Sequence, residues 1–399
     1  MLIFQLIYVS LICFTVAVSN SEPNTRYNHD FDPRSYKTSA QEASTTPDLN
    51  SLIPGALTSD TALRNLYSLY RVEHGVSHGD HETPHRLRLF RDFLVEVTEL
   101  QRDESVKWTP GITFMGHMTE CEKSLLSSGN VTDHLDTWNS EDQCDEYNGG
   151  EELKRDDSDV LQAFVLPESY DWRALGAVTD VKDQLGGDCW AYAAVTAMEA
   201  QIMYLRGVLS ELSTQELVDC VYYGYGVNHF EDGGLPHHAW DHITKDERIG
   251  YRYQIPERPV GFYSCSYGSW ARNALKDNNV EIRQIVILRK RQATPSNLMT
   301  VIARVSPVIV IISTKGADLD KYNAGAFDPR TSKCNQNSSP DHAVAIVGYD
   351  KDYFYIKNSW GEKWGNKGYL WWIRAPGRKD CNLYAKSMYP IMEKTRTKK

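Results

Sequence analysis

The spacing of apolar residues changes several times along the chain, and each change marks an expected boundary. Residues 1–19 hold an uncharged apolar run from Leu2 to Val16, closed by Ala17-Val18-Ser19, the pattern of a cleavable secretory signal. The run is too short for a membrane span and leads into polar sequence. Residues 20–60 are rich in Ser, Thr, Asn, Asp and Pro without periodicity, which predicts a disordered extension. From Thr61 the segments LRNLYSLYRVEHG and PHRLRLFRDFLVEVTELQ predict two helices; Leu87, Phe90, Phe93, Leu94 and Val97 share one face of the second. Periodicity then stops. In CWAYAAVTAMEAQIMYLRG it returns, with Trp190, Ala193, Ala194, Ala197, Met198, Ile202 and Leu205 forming one face of an amphipathic helix. Ser213 and Glu216 form a capping box for a short helix ending near Cys220, and PHHAWDHI predicts another. Beyond these, SPVIVIIST, HAVAIVGYD, YFYIKNSW and GYLWWIRA read as strands, β-branched and aromatic with turn signals between them. Helices first and strands afterwards make an α+β chain with a helical and a sheet-rich part.

Length and composition fit two to three domains with ample apolar content for a core: 399 residues, 41% hydrophobic and 11% aromatic. Charge changes the picture more. The net charge is −10, but residues 1–159 carry 27 acidic against 13 basic residues, so the remainder is mildly basic. Cys121 to Asp159 alone holds 12 acidic against 3 basic residues, a solvated connector. An acidic N-terminal part favours association with a basic remainder; a solubilising linker explains the charge equally well. Basic residues cluster only in the tail 394–399, so neither nucleic-acid binding nor a membrane anchor is expected. Cys13 departs with the signal, and the other seven cysteines meet an oxidising compartment. Seven is odd, which leaves one thiol outside any bridge, with Cys189 the natural candidate. Asn130 and Asn337 are glycosylation acceptors. The pair His237-His238 and the cysteines lack ligand spacing, so no metal and no cofactor are expected.

The chemistry centres on VKDQLGGDCWAYAAVT. Gly186 and Gly187 lead to Cys189 at a helix start, where unpaired N–H groups and the helix dipole favour the thiolate. A lone cysteine of this kind is more often structural. His342 and Asn358, 153 and 169 residues further on, begin and follow apolar strands and turn the balance toward chemistry. With Gln184 these residues resemble the papain family of cysteine proteases. DWRALGAVTDVKDQ, LSTQELVDC, DGGLP, DHAVAIVGYD, IKNSWGEKWGNKGYL and CNLYAKSMYPI match family blocks in order, from Pro167 to about Glu393. The distances to His342 and Asn358 modestly exceed the usual ~130–150 residues, as insertions explain.

The resemblance implies a two-lobe fold, helical lobe plus antiparallel sheet or barrel lobe, with Cys189 and His342 facing across the cleft. Cys189 would attack the peptide carbonyl, His342 would stabilise the thiolate and protonate the leaving amine, and Asn358 would fix the imidazole. Trp360 would shield that bond, and Gln184 with the Cys189 backbone N–H would receive the oxyanion. Gly233, Gly234, Leu235, Pro236, Asp341 (with Pro340) and Lys386 would line the substrate site, Lys386 on the floor of its main selectivity pocket. Bridges Cys220–Cys265 and Cys334–Cys381 correspond to family bridges, and Cys121 with Cys144 remain as a candidate pair in the pro-region. A third family bridge is missing at both ends. Glu82, Arg86 and Phe90 match the family's inhibitory propeptide helix, and GITFMGHMTECE keeps Gly111 and Met118-Thr119 of the next block, with His117 in place of the usual acidic residue. The expected domains are a signal (1–19), a disordered extension (20–60), an inhibitory propeptide (61–120), an acidic linker with the maturation site (121–166), the catalytic domain (167–393) and a basic tail (394–399). Asp188 is a departure, since a negative charge beside the nucleophile disfavours the thiolate. The function implied is a monomeric secreted or lysosomal endopeptidase made as a zymogen, acting on proteins or peptides and held by its own propeptide. A relative that binds peptides without cutting them is the other class left open by Asp188 and the shortened Gln184–Cys189 loop.

Overall fold

The computed structural model describes residues 48–78, 83–126, 165–221, 233–258, 265, 267, 270–289, 292–334, 340–374 and 380–395, without the side chains of Cys121, Leu125 and Arg289. The N-terminal helices are α1 (Ile53–Thr58), α2 (Asp60–His74) and α3 (Thr83–Arg102), after a 3-10 turn at Leu49–Leu52. Their periodic apolar faces meet in one core that holds Ile53, Leu66, Tyr70, Phe90, Leu94 and Val97. Ser59 caps α2 and Gly75, in the left-handed region at φ 67°, ends it.

Two expected boundaries move. The extension read as disordered to residue 60 is helical from Leu49, because Leu49, Ile53 and Ala56 supply a third side to that core. The linker read as starting at residue 121 instead begins inside α4 (Glu120–Leu125), anchored by a capping box between Thr119 and Glu122. Glu122 also takes both arms of Arg86, at 2.5 and 2.7 Å, so the acid that answers this arginine lies five residues past His117. Glu82, Cys144, Asn130, Asn337, and the signal and most of the linker lie outside the described residues, as does the side chain of Cys121.

The N-terminal unit docks through backbone. Strand β1 (Thr109–Pro110) pairs antiparallel with β5 (Tyr322–Ala324), and Gly111 N–H donates to the Lys321 carbonyl at 3.0 Å. Gly111 has no room for a side chain: a Cβ would stand 2.7 Å from the Asn50 Oδ1 that accepts the Ile112 N–H. Around the ribbon Lys123 pairs with Asp320 at 2.7 Å and Lys321 with Glu96 at 2.8 Å.

The remainder contains helices α5 (Cys189–Arg206), α6 (Thr214–Cys220), α7 (Pro236–Asp246), α8 (Ala274–Asn278) and α9 (Pro295–Arg304). The other strands are β2 (Tyr170–Asp171), β3 (Val280–Arg289), β4 (Val308–Ile312), β6 (Ala326–Phe327), β7 (His342–Tyr349), β8 (Tyr353–Lys357), β9 (Tyr369–Ile373) and β10 (Lys386–Lys394). They pair in the order β3-β10-β4-β7-β8-β9-β6, with β2 on β7, and only β6–β9 is parallel. β4 and β7 are buried on both faces, hence their unbroken apolar sequence. Ile309, Ile311, Ala343 and Ala345 pack with α5 on one side, while Val308, Val310, Val344 and Ile346 join the second core on the other. Bridges close Cys220–Cys265 and Cys334–Cys381, one in each part.

Three readings need correction. α5 is not amphipathic over its first four turns: every residue from Cys189 to Ile202 is buried, because alanines let α7, the sheet and α6 approach it from different sides. Glu216 does not complete a capping box. Ser213 caps α6, but Glu216 turns to Arg248 Nε at 2.8 Å and to the Gly250 N–H. The pairing of β3 with β10 was not read at all. It ends in the segment taken for a frayed tail, where Lys394 still pairs with Val280 and Thr395 N–H donates to Asn279.

Acid bears on the N-terminal unit through buried histidines. Tyr70 Oη lies 2.7 Å from His117 Nδ1, and the rings of Tyr70 and His74 are 4.9 Å apart. Burial, reinforced by Arg86 beside His117 and by Lys363 beside His74, lowers both imidazoles to about 4. Folding therefore favours their neutral forms, and stability is lost as pH falls from about 6.5 toward 4. Glu122, held at about 2 by Arg86, acts later: its contribution is present above 4.5 and goes as pH falls toward 2. Amide hydrogen exchange across α2 and α3, corrected for intrinsic rates, should lose protection between pH 6.5 and 4. A His74→Gln/His117→Gln chain should keep that protection to a pH about one unit lower, since each buried histidine costs on the order of 1–2 kcal/mol when it must charge.

Candidate active site

The site forms where the N-terminus of α5 meets the first residue of β7. Cys189 is the first residue of the helix and is fully buried, and the Ala343 N–H donates to its Sγ at 3.4 Å. Its thiol stands outside both disulfides. His342, at the head of β7, is also buried; its Nε2 lies 2.8 Å from Asn358 Oδ1, while Nδ1 has no hydrogen-bond partner. An amide oxygen accepts, so the tautomer with the proton on Nε2 is fixed and Nδ1 carries the lone pair. Trp360 stacks on the imidazole at 4.5 Å and keeps water from the Nε2–H bond. Trp364 supports that indole edge-on at 5.1 Å. Burial lowers His342 to about 4, with the Asn358 bond opposing the shift. In this closed state burial favours the neutral imidazole.

Gln184 is held by Ser359, which sequence reasoning did not single out. The Ser359 hydroxyl donates to Gln184 Oε1 at 2.6 Å, the Ser359 carbonyl accepts the Gln184 N–H at 2.7 Å, and the Ser359 N–H donates to Asn358 Oδ1 at 2.8 Å. Oε1 being occupied, Gln184 Nε2 gives one proton to the Gly186 carbonyl of its own loop. It donates the other to the backbone carbonyl of Leu126 at 2.8 Å, so the chain after α4 places a peptide carbonyl on that amide. No side-chain signal could have found this contact, because the acceptor is backbone.

The expected substrate-site residues fall into place unequally. Gly234 lies against Trp190, and a Cβ there would stand 2.6 Å from the indole. Leu235 precedes α7 and Pro236 opens it. Asp341 is spoken for: its carboxylate accepts from the Thr314 N–H at 2.7 Å and the Thr314 hydroxyl at 3.0 Å. Lys386 opens β10, and its charge reaches buried His237 on α7, where with burial it helps push the imidazole well below its ordinary value.

Asp188 is buried, and its Oδ1 accepts the Gly186 N–H at 3.3 Å across the short loop. Burial raises its carboxyl to about 6 despite backbone donors from Leu185, Gly186 and its own residue. The charge that departs from the family pattern is thus partly titrated away in mild acid.

A buried thiol on a helix N-terminus, an amide-oriented imidazole on a facing strand, and an N-terminal helical unit reaching into the site define the proform of a cysteine protease. The family model described as papain family cysteine protease matches residues 166–391. Papain of Carica papaya is 32% identical over 341 residues, covering 84% of this chain and 89% of papain. The solved proform of the ragweed pollen cysteine protease Amb a 11 superposes with a TM-score of 0.68 at 26% identity, covering 85% and 95% of the two chains. Digestive procathepsin L 3 of Tenebrio molitor larval midgut gives 0.67 at 26% identity, over 82% and 99%. The chain belongs to the papain family and is a cysteine-type endopeptidase with a propeptide.

Ionised Asp188 weighs against the fold, since its carboxyl titrates higher folded than unfolded: stability falls as pH rises from about 3.8 through 6. Asp188→Asn should therefore raise the melting temperature at pH 7.5, by the equivalent of about 1–3 kcal/mol, and leave it nearly unchanged at pH 4. Paired thermal melts at the two pH values check this.

Proposed function

We propose that this protein is a secretory-pathway zymogen, secreted or lysosomal, whose Cys189 and His342 cleave peptide bonds once the N-terminal unit leaves. The observation that carries the reading is the oriented imidazole: Nε2 is tied to Asn358 and Nδ1 stands unengaged in the interior that Cys189 shares. In the closed zymogen low polarity favours the neutral thiol and imidazole. Departure of the chain around Leu126 readmits water and substrate, and the proton moves from Sγ to Nδ1. The thiolate then attacks the scissile carbonyl, Nδ1–H gives its proton to the leaving amine, and the acyl-thioester is hydrolysed with His342 as base. Gln184 Nε2 and the Cys189 N–H receive the oxyanion, each worth roughly 2.7–4 kcal/mol. Leu126 now fills the first of these donors with its own carbonyl, which supports inhibition by occupancy.

Cys189→Ala should lower peptide hydrolysis by about four orders of magnitude or more and stop self-maturation without unfolding the chain. A purified Ala variant that still matured would overturn the assignment. Labelling of mature wild type by a thiol-trapping epoxide separates this enzyme from a peptide-binding homologue, which would not react.

Selectivity follows from Lys386, whose charge acts on His237 of α7, two residues past Leu235. In this reading it favours Asp or Glu at the second residue upstream of the cut, beside aliphatic and aromatic side chains. On a substrate set varied there, Lys386→Ser should lose about threefold or more on Glu relative to Leu. An unchanged ratio would leave an apolar pocket that the lysine covers with its stem.

A further inference from the structure

Two buried lysines stand behind the catalytic asparagine with one acceptor between them. Lys182 Nζ donates to Thr179 Oγ1 at 3.0 Å and Lys357 Nζ to the same oxygen at 3.1 Å. Thr179 in turn donates to Glu199 Oε2 at 2.7 Å, and Glu199 Oε1 accepts the Leu212 N–H at 2.9 Å. All four side chains are buried. A hydroxyl has one proton and two lone pairs, so Thr179 is saturated. Each ammonium has three protons and has used one. Among the described residues no carboxylate lies within 4 Å of either nitrogen. The local balance is two cations against Glu199, with Glu211 and Asp180 contributing from further off. Lys182 and Lys357 also line a small crevice with Thr196, Ala343, Asn358 and Ser359. It has room for about one water-sized particle.

Unpaired charge in such a place is costly, and there are two ways to relieve it: lose a proton or gain an anion. Burial, with Lys182 against it and Glu199 for it, lowers Lys357 to about 7. In neutral solution the first route is half open; in acid, where Lys357 must be charged, only the second remains.

We propose that the crevice between Lys182 and Lys357 is a binding site for a small monovalent anion, chloride in physiological media, accepting the ammonium protons that Thr179 leaves over. The anion completes the wall that carries Asn358 and Ser359, the two residues that orient His342 and Gln184. Space for a single particle excludes carboxylates and phosphate and leaves a monatomic anion. The proposal holds whether or not the catalytic roles above are correct.

The test uses the full chain as Cys189→Ala, so that it stays intact at acid pH. Crystals grown in about 0.2 M sodium bromide at pH 5 should show one anomalous peak between the two Nζ atoms. In solution at pH 5, replacing sodium gluconate by sodium chloride at equal ionic strength should raise the melting temperature by about 2–4 °C. At pH 8.5 the difference should shrink as Lys357 loses its proton. Lys357→Gln and, on the other wall, Lys182→Gln should each abolish the chloride difference. Equal melting in the two salts with no bromide peak would overturn the proposal. A bromide peak with equal melting would mean an adventitious ion only, and overturn it as well. So would a chloride shift that survives both substitutions.

Discussion

Everything in this molecule depends on burying the start of one helix against the start of one strand. α5 has no solvent face for its first four turns, so its N-terminal N–H groups and Cys189 are fixed by packing from every side. β7 is buried along its whole length, and the Ala343 N–H meets the Cys189 sulfur at its head. Helix dipole and imidazole are thereby set against one thiol by two rigid elements rather than by loops. Alanine makes this possible. A bulkier series at Ala191, Ala193, Ala194 and Ala197 would push the sheet from the helix and the imidazole from the sulfur.

The same burial sets the chemistry of the closed site. With Leu126 on Gln184 and the N-terminal unit paired through β1 to β5, Cys189 and His342 are buried, and burial keeps His342 neutral. In the proposed zymogen, inhibition and low reactivity would share one cause, burial of the site, through the Leu126 carbonyl on Gln184 and the lowered imidazole. Two contacts within the N-terminal unit answer acid in different ranges. Arg86 is answered by Glu122 from α4, and neutral His117 sits against the Tyr70 hydroxyl, which gives its own proton to the Phe114 carbonyl. A histidine there responds to mild acid in a range where the Arg86–Glu122 pair does not.

Charge inside the catalytic unit is arranged to shape the backbone around the site. Asp188 gathers the N–H groups of the short loop before Cys189, where the family's third bridge is absent, and Asp341 pins Thr314 beside β7. Lys182, Lys357 and Glu199 meet on Thr179 under the Asn358 wall. Asp188, Asp341 and Glu199 each accept a backbone N–H, while the two lysines share only the Thr179 hydroxyl.

Local pattern was enough for a good part of this. The faces of α3, the strands β4, β7 and β8, and the Cys189, His342 and Asn358 set were legible because each is a short-range signal: a helical period, an apolar run, or a residue type adjoining one. Legibility failed where the deciding contact is distant. Leu49 to Thr58 looks disordered alone and becomes helix only against α2 and α3. β3 and β10 carry Gln, Arg and Pro390 among their apolar residues and declare themselves only as partners. Glu216 had the spacing of a capping box, yet Arg248 and Gly250 outbid Ser213 for it. The Leu126 carbonyl on Gln184 and the two lysines on one threonine leave no local trace at all. Sequence by itself determined which groups could do chemistry and which segments had to be buried. Only the tertiary structure decided which of those groups share a dry interior, because hydrogen bonding and desolvation act between residues that the chain order keeps far apart.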